Sequence, residues 1–222
     1  MANIYKGFSV RKHNLPLVLY TFRNYLKKDN VTISKTTNDG RVNSTIDEET
    51  IINKLIMRFP GRIMKPNVRM WYDLKVYDYR LGWIPVNIKT TTMNTSDNTG
   101  NLAMAVYAYT NFPMNIDNSY CNGPMSKVLI SELKKQHFND GSRDYYFLVI
   151  NKNDPSDIII NSVRGLEKLS PNLNNLPFQV CWKKNKIYKY RPVKNTIKMF
   201  LDSIKTPKPN WQETFISEIR EI

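Results

Sequence analysis

Cysteine and histidine are scarce in this chain of 222 residues. Cys121, Cys181, His13 and His137 are the whole supply and fall in no metal-ligand spacing, which argues strongly against a Cys/His zinc site. So few histidines also argue against a Ser-His-Asp or Cys-His hydrolase. The two cysteines read as reduced, buried thiols. No apolar run reaches the roughly 18 residues of a membrane span. Met1 to Lys6 lack the apolar core of a secretory leader, so the expected location is the cytoplasm. Like charges form no long block, and there is no internal repeat or Gly/Ser linker.

Acidic residues are in short supply relative to basic ones. Thirty-three Lys and Arg against nineteen Asp and Glu give +14. With 41% hydrophobic and 12% aromatic residues there is enough apolar material for a core. A basic globule with Lys and Arg spread among Tyr, Trp and Asn, rather than on one greasy helix, favours nucleic acid as partner over a membrane or plain surface charge. The 26 Asn residues are donor–acceptors suited to adenine edges, although AT-rich coding also favours them.

The pattern predicts one domain over 1–222, with 1–14 as a mobile N-terminal arm. Leu15, Val18, Leu19, Phe22, Tyr25 and Leu26 lie at helical spacing, with Asn14 as cap and Pro16 in the first turn. A polar stretch follows, with Asn38-Asp39-Gly40 as its turn. Ser44 or Thr45 is expected to cap a second helix, with Asp47-Glu48-Glu49 in its first turn and Phe59-Pro60-Gly61 at its end. Strands are predicted over 70–77 and 83–91, joined by 78–82 as an antiparallel hairpin. Then come helices over 98–109 and 127–137, strands over 144–151 and 157–163, a loop over 171–177 leading into 178–183, and helices over 193–204 and 211–219. Helices flanking a central mixed sheet make the fold class α/β, or α+β.

The hairpin carries the chemistry. Strand alternation puts Asn87 and Lys89 on one face and Val86 and Ile88 on the other, and an antiparallel partner can bring Asp73, expected mid-strand, opposite them. A carboxylate, an amide oxygen and an ammonium then converge, a set suited to metal-assisted phosphodiester hydrolysis. The same residue types are also ordinary on solvated strands.

Asp73, thirteen residues, then Asn87-Ile88-Lys89 resembles the PD-(D/E)XK nuclease motif. Arg41-Val42-Asn43-Ser44, Trp71-Tyr72-Asp73, Pro85-Val86-Asn87-Ile88-Lys89, Thr95-Ser96-Asp97-Asn98 and Asn175-Leu176-Pro177-Phe178-Gln179 together resemble one group of type II restriction endonucleases, over residues 41–185. The resemblance implies a restriction-endonuclease-like core and a homodimer that cuts both strands of double-stranded DNA at a palindromic site. Mg²⁺ is the implied cofactor, with Mn²⁺ as substitute, and a DNA methyltransferase is a biological companion. It implies Asp73 as metal ligand, Asn87 at the second acidic position, Lys89 as catalytic lysine, and a metal set of Asp73, Asn87 and Ile88. Tyr72 stands where the motif has proline, and Asn87 stands where it has an acid, natural or as an engineered Asp→Asn. Related nucleases bring a Glu from a preceding helix, here Glu48 or Glu49 with Glu48 favoured by its position after Asn43-Ser44, although complementing the helix N-terminus is the other reading. The rivals are a repair or junction-resolving PD-(D/E)XK nuclease and a catalytically silent DNA-binding protein.

Three segments are candidate DNA contacts. Lys65, Asn67 and Arg69 precede the catalytic strand. Thr91, Thr92, Asn94, Ser96 and Asn98 follow Lys89 with hydroxyls and amides for phosphates or base edges. The segment 171–190, with Asn174, Asn175, Gln179, Lys183, Lys184 and Asn185, combines adenine-type amides with lysines suited to guanine or phosphate. Solvated loops and turn chemistry are the alternatives for all three.

Overall fold

The hairpin expected at the centre of the chain forms, and the sheet is built outward from it. The structure, a computed structural model, describes residues 15–29, 33, 40–67, 70–114, 122–139, 143–172, 177–204 and 210–220. The first half comprises α1 (Leu17–Lys28), α2 (Gly40–Arg58), β1 (Ile63–Met64), β2 (Leu74–Asp78), β3 (Gly82–Thr91), β4 (Ser96–Asp97) and α3 (Leu102–Tyr109). The second comprises α4 (Asn122–Lys134), β5 (Tyr146–Asn151), β6 (Asp154–Ser162), β7 (Ser170–Pro171), β8 (Phe178–Cys181), α5 (Val193–Ser203) and α6 (Asn210–Ile219).

β2 and β3 pair antiparallel from Leu74↔Val86 to Asp78↔Gly82. The turn closes with Leu81 N–H donating to Asp78 O at 3.2 Å, and Gly82, at φ +71°, takes the left-handed position that a side chain would resist. β3 then pairs in parallel with β5, from Val86↔Tyr146 to Thr91↔Asn151. A parallel pair needs a long crossover, which α3 and α4 supply. The five-stranded mixed sheet has the order β1-β2-β3-β5-β6.

Alternation along these strands splits the core in two. Ile84, Val86, Ile88, Tyr146, Leu148 and Ile150 bury one sheet face against α1 and α2, whose Leu19, Phe22, Ile51 and Leu55 are fully buried. Phe147 and Val149 face the other way, onto α3 and the helices that follow. All eight α3 residues are buried, as the small side chains of Ala103, Ala105 and Ala108 permit. The class is therefore mixed α/β, a central sheet flanked by helices. Among the described residues no helix is long and apolar enough to cross a membrane.

Several boundaries differ from the pattern. α2 begins at Gly40, so Ser44 and Thr45 do not cap it and Asp47, Glu48 and Glu49 lie beyond its first turn. α1 starts after Pro16 with no side-chain cap. Its Val18 N–H instead donates to Asp78 Oδ2 at 3.2 Å, a buried carboxylate from the hairpin tip. Asn14 and the expected arm over 1–14 lie outside the described residues. Residues 96–97, on the path into the expected α3, are in extended pairing instead: β4 joins β8, and β8 joins β7, in a small second sheet with Ser96↔Cys181 and Asp97↔Val180. Cys181 is thereby half-buried rather than buried, and Cys121 lies outside the described residues.

Candidate active site

Asp73 does not sit mid-strand. It occupies the bend just before β2, and its own N–H continues the ladder by one bond, to Val86 O at 3.1 Å. Beyond Val86, β3 outruns its partner, and an unpaired edge N–H in a partly buried setting needs an acceptor. Two carboxylates supply it. Asp73 Oδ2 accepts from Ile88 N–H at 2.8 Å, and Glu48 Oε1 accepts from Thr90 N–H at 3.0 Å. Ile88 and Thr90 are alternate residues, so the two acids anchor about 7 Å apart along one strand edge. The Ile88 carbonyl points to that same edge, because N–H and C=O of one strand residue share a side.

Glu48 arrives there because α2 carries a stripe at Ser44, Glu48, Ile51 and Leu55. The apolar end, Ile51 and Leu55, is fully buried under the sheet, which drives the polar end into the cleft above the C-terminal part of β3. Complementing a helix N-terminus is thus not what Glu48 does. Lys89 Nζ lies 3.8 Å from Glu48 Oε2. Burial pushes both the Glu48 and Asp73 carboxyls above the ordinary range, against the opposing pull of Lys89 and of the Thr90 and Ile88 N–H groups. The charged forms are therefore under-compensated by the protein alone.

Asn87 projects from the Lys89 face toward the buried Tyr145 hydroxyl, which donates to Trp71 O at 3.1 Å. The Asn87 Oδ1 is buried without a hydrogen-bond partner among the described residues. Such an orphaned acceptor costs about 1–3 kcal/mol unless a donor or a cation meets it. Among the described residues no three of His, Cys, Asp and Glu converge to hold a metal. What lies along and beside the β3 edge is all hard oxygen: two carboxylates on the Ile88 and Thr90 N–H groups, the Ile88 carbonyl between them in sequence, and the neighbouring Asn87 amide. That set fits Mg²⁺, which is ordinarily held by one or two carboxylates and keeps several waters.

The cleft has a volume of about 680 Å³. Thr92, Ser96 and Asn98 line it as exposed groups; Asn94, also exposed, lies in the same turn. Thr91 is buried, its hydroxyl engaged by Met93 N–H and the Asp97 carboxylate. The second sheet brings the third candidate segment to the second: Gln179 Nε2 and Asn172 Nδ2 both donate to Asn98 Oδ1, at 2.7 and 2.9 Å. Lys183 and Lys184 are exposed in a short 3₁₀ turn over 182–184. Asn185 is a correction. It is fully buried, its Oδ1 accepts from Glu167 and Lys168 N–H, and its Nδ2 donates to Lys168 and Cys181 carbonyls, so no atom remains for a base edge. Lys65 and Asn67 are exposed away from these, with Lys65 Nζ 3.7 Å from Glu49. Arg69, Asn174 and Asn175 lie outside the described residues.

Three further residues line the cleft that the sequence did not mark as site residues. Lys152, at the end of β5, donates from Nζ to Ser44 Oγ at 2.6 Å. Ser44 Oγ in turn lies 3.4 Å from Thr90 O. Asp97 lies beside Lys89, Lys152 and Trp182, and burial raises its carboxyl too. Only the parallel register, which puts Lys152 N–H on Thr91 O at 2.8 Å, reveals that a residue 63 positions after Lys89 shares its cleft.

No protein-family model matches this chain, and no curated protein is significantly similar to it.

Proposed function

We propose that this protein is a Mg²⁺-dependent deoxyribonuclease of the type II restriction class, a PD-(D/E)XK enzyme that acts as a homodimer on a palindromic site in duplex DNA. One observation carries the reading: Asp73 and Glu48 cap the Ile88 and Thr90 N–H groups of the β3 edge, and Glu48 and the neighbouring Lys89 line a cleft, in a chain of net charge +14. Asp73, Glu48, Asn87 Oδ1 and the Ile88 carbonyl are the oxygens that would hold the cation. When bound, Mg²⁺ supplies Lewis-acid stabilisation of phosphate charge and lowers the pKa of an attacking water. Lys89 places a positive charge where the pentavalent phosphate develops its negative one, and orients or deprotonates that water. Asp73 and Glu48, fixed by backbone N–H donors, need no reorganisation as the reaction proceeds. Nothing in this scheme requires a covalent intermediate or a histidine.

A second reading, a silent DNA-binding protein, draws on Asn87, which leaves two carboxylates at the β3 edge where the motif has a further acid. Incubation of supercoiled plasmid with the protein and Mg²⁺ or Mn²⁺ separates the possibilities. Discrete bands with mapped ends at one sequence are expected. Structure-dependent nicking would move the protein to the repair or junction-resolving nucleases, and binding without cleavage in either metal would leave the silent reading.

A further inference from the structure

We infer that Lys152 and Ser44 form a second phosphate-binding subsite in this cleft, which grips the phosphodiester next to the one being cut on the same strand. The inference rests on the nuclease reading above. Lys152 follows β5, the strand parallel to β3, and its N–H closes the register on Thr91 O at 2.8 Å. Its ammonium and that of Lys89 therefore rise from adjacent strands at the same, C-terminal, end of the sheet, the end at which open α/β sheets bind their ligands. Both side chains line the one cleft.

Lys152 is held in place rather than left to swing. Its Nζ donates to Ser44 Oγ at 2.6 Å, and Ser44 is itself fixed on α2, one turn before Glu48, with its hydroxyl toward Thr90 O at 3.4 Å. Helix α2 thus braces the metal-side acid with one residue and the distal lysine with another four positions away. An ammonium with three donors can keep its serine bond and still donate to a phosphate oxygen. Neighbouring strands lie about 4.8 Å apart, and Lys152 is three residues beyond Val149, the partner of Lys89. Two long side chains set about 11 Å apart at their bases can converge on successive phosphates of one strand, which advance about 3.4 Å along the duplex axis. Thr92, Ser96 and Asn98 on the facing wall offer neutral donors to the same strand.

The competing role for Lys152 is to neutralise Glu48 and Asp97, both of which feel its charge. Kinetics and salt dependence tell the two apart. Steady-state cleavage of a duplex bearing the mapped site is measured in Mg²⁺, and metal-free binding of the same duplex by fluorescence anisotropy over a range of salt, for the full chain and for Lys152→Ala, Lys152→Arg and Ser44→Ala. The subsite predicts that Lys152→Ala raises KM roughly ten-fold or more, the value of a lost charged hydrogen bond, with kcat within about three-fold. It also predicts a log–log salt slope flatter by about one unit, restoration of both by Lys152→Arg, and an intermediate KM for Ser44→Ala. A Lys152→Ala enzyme with unchanged KM and slope, or one that loses kcat alone, overturns the subsite while the nuclease reading stands. Loss of all variants to misfolding is guarded against by Lys152→Arg, which retains the charge; if that variant is folded and yet fails to restore KM, the subsite is likewise wrong. A wild-type protein that neither binds nor cuts DNA removes both the subsite and the reading beneath it.

Discussion

On the proposed nuclease reading, Asp73 and Lys89 do chemistry and very little binding, because duplex affinity would come from many dispersed cations while the reacting phosphate would meet only the groups at the β3 edge. Asp73→Ala and Lys89→Ala should each lower the cleavage rate by roughly 100-fold or more, with metal-free duplex binding within about two-fold of wild type. A variant of either kind with near wild-type turnover in a single-turnover assay would remove that residue from the scheme. Asn87 is the more informative position. Its Oδ1 is a buried acceptor without a partner among the described residues, so replacing the amide with a carboxylate adds a charge where a cation would sit. If asparagine is native, Asn87→Asp should keep activity and shift the Mg²⁺ titration midpoint lower; if it was engineered, the same change should restore cleavage from near zero. An inactive Asn87→Asp beside an inactive parent counts against the metal assignment as a whole. At this scale the strand face of Asn87 and Lys89 was legible in the sequence, and the place of Asp73 was not: expected mid-strand, it lies in the bend before β2. Asn87 and Lys89 share a face because strand periodicity is local. Lys152 enters the cleft through a parallel register, which leaves no short-range signature, and Ser44 through a helix stripe where the sequence pattern predicts a cap.

The elements were legible wherever an apolar period was strong, and their ends were not. α2 reads from its apolar stripe, but the polar run before it hides four further helical residues, since Gly40 to Asn43 bear no period of their own. The small sheet was invisible because two-residue strands have no alternation to detect; β4 and β7 exist only through their partner β8. Yet that sheet decides where Asn98 and Gln179 stand, and its seam is close. A Cβ on Gly100 would come within 2.6 Å of Phe178 O and 2.8 Å of the Phe178 ring, and the backbone atom cannot give way. Gly100→Ala should therefore force β4 and β8 apart at a cost of about 1–3 kcal/mol, the usual range for an overpacked site. Urea unfolding measures the loss, and the Asn98–Gln179 hydrogen bond should break with it, which amide NMR of the Gln179 side chain would report. A fully stable Gly100→Ala with that bond intact would mean the seam is looser than its geometry implies.

For the whole molecule the dominant fact is +14, which on the proposed reading bears on how the protein would meet DNA rather than on how it folds. A protein that neutralises six to ten phosphates releases their counterions, so affinity should fall with salt at a log–log slope of roughly −5 to −9. Most of that charge is scattered, and its individual members should be interchangeable. Lys183 and Lys184 are the test of whether any are not. They stand exposed in the turn after β8, the strand that carries Gln179 to Asn98, the pair of amides that the proposed reading assigns to base edges. Three outcomes of Lys183→Ala and Lys184→Ala are distinguishable. A phosphate contact flattens the slope by about one unit and weakens every duplex alike. A base contact leaves the slope on random duplex unchanged and costs roughly 1–3 kcal/mol on the cognate site alone. A solvated lysine moves neither measure. We expect the base-reading pattern from at least one of the pair, because a phosphate grip does not need the register that β4 and β8 impose, whereas reading an edge does. Binding isotherms on cognate and random duplexes at four or five salt concentrations decide it; a flattened slope for both lysines, equal on the two duplexes, would assign them to the phosphate backbone and leave specificity to Asn98 and Gln179.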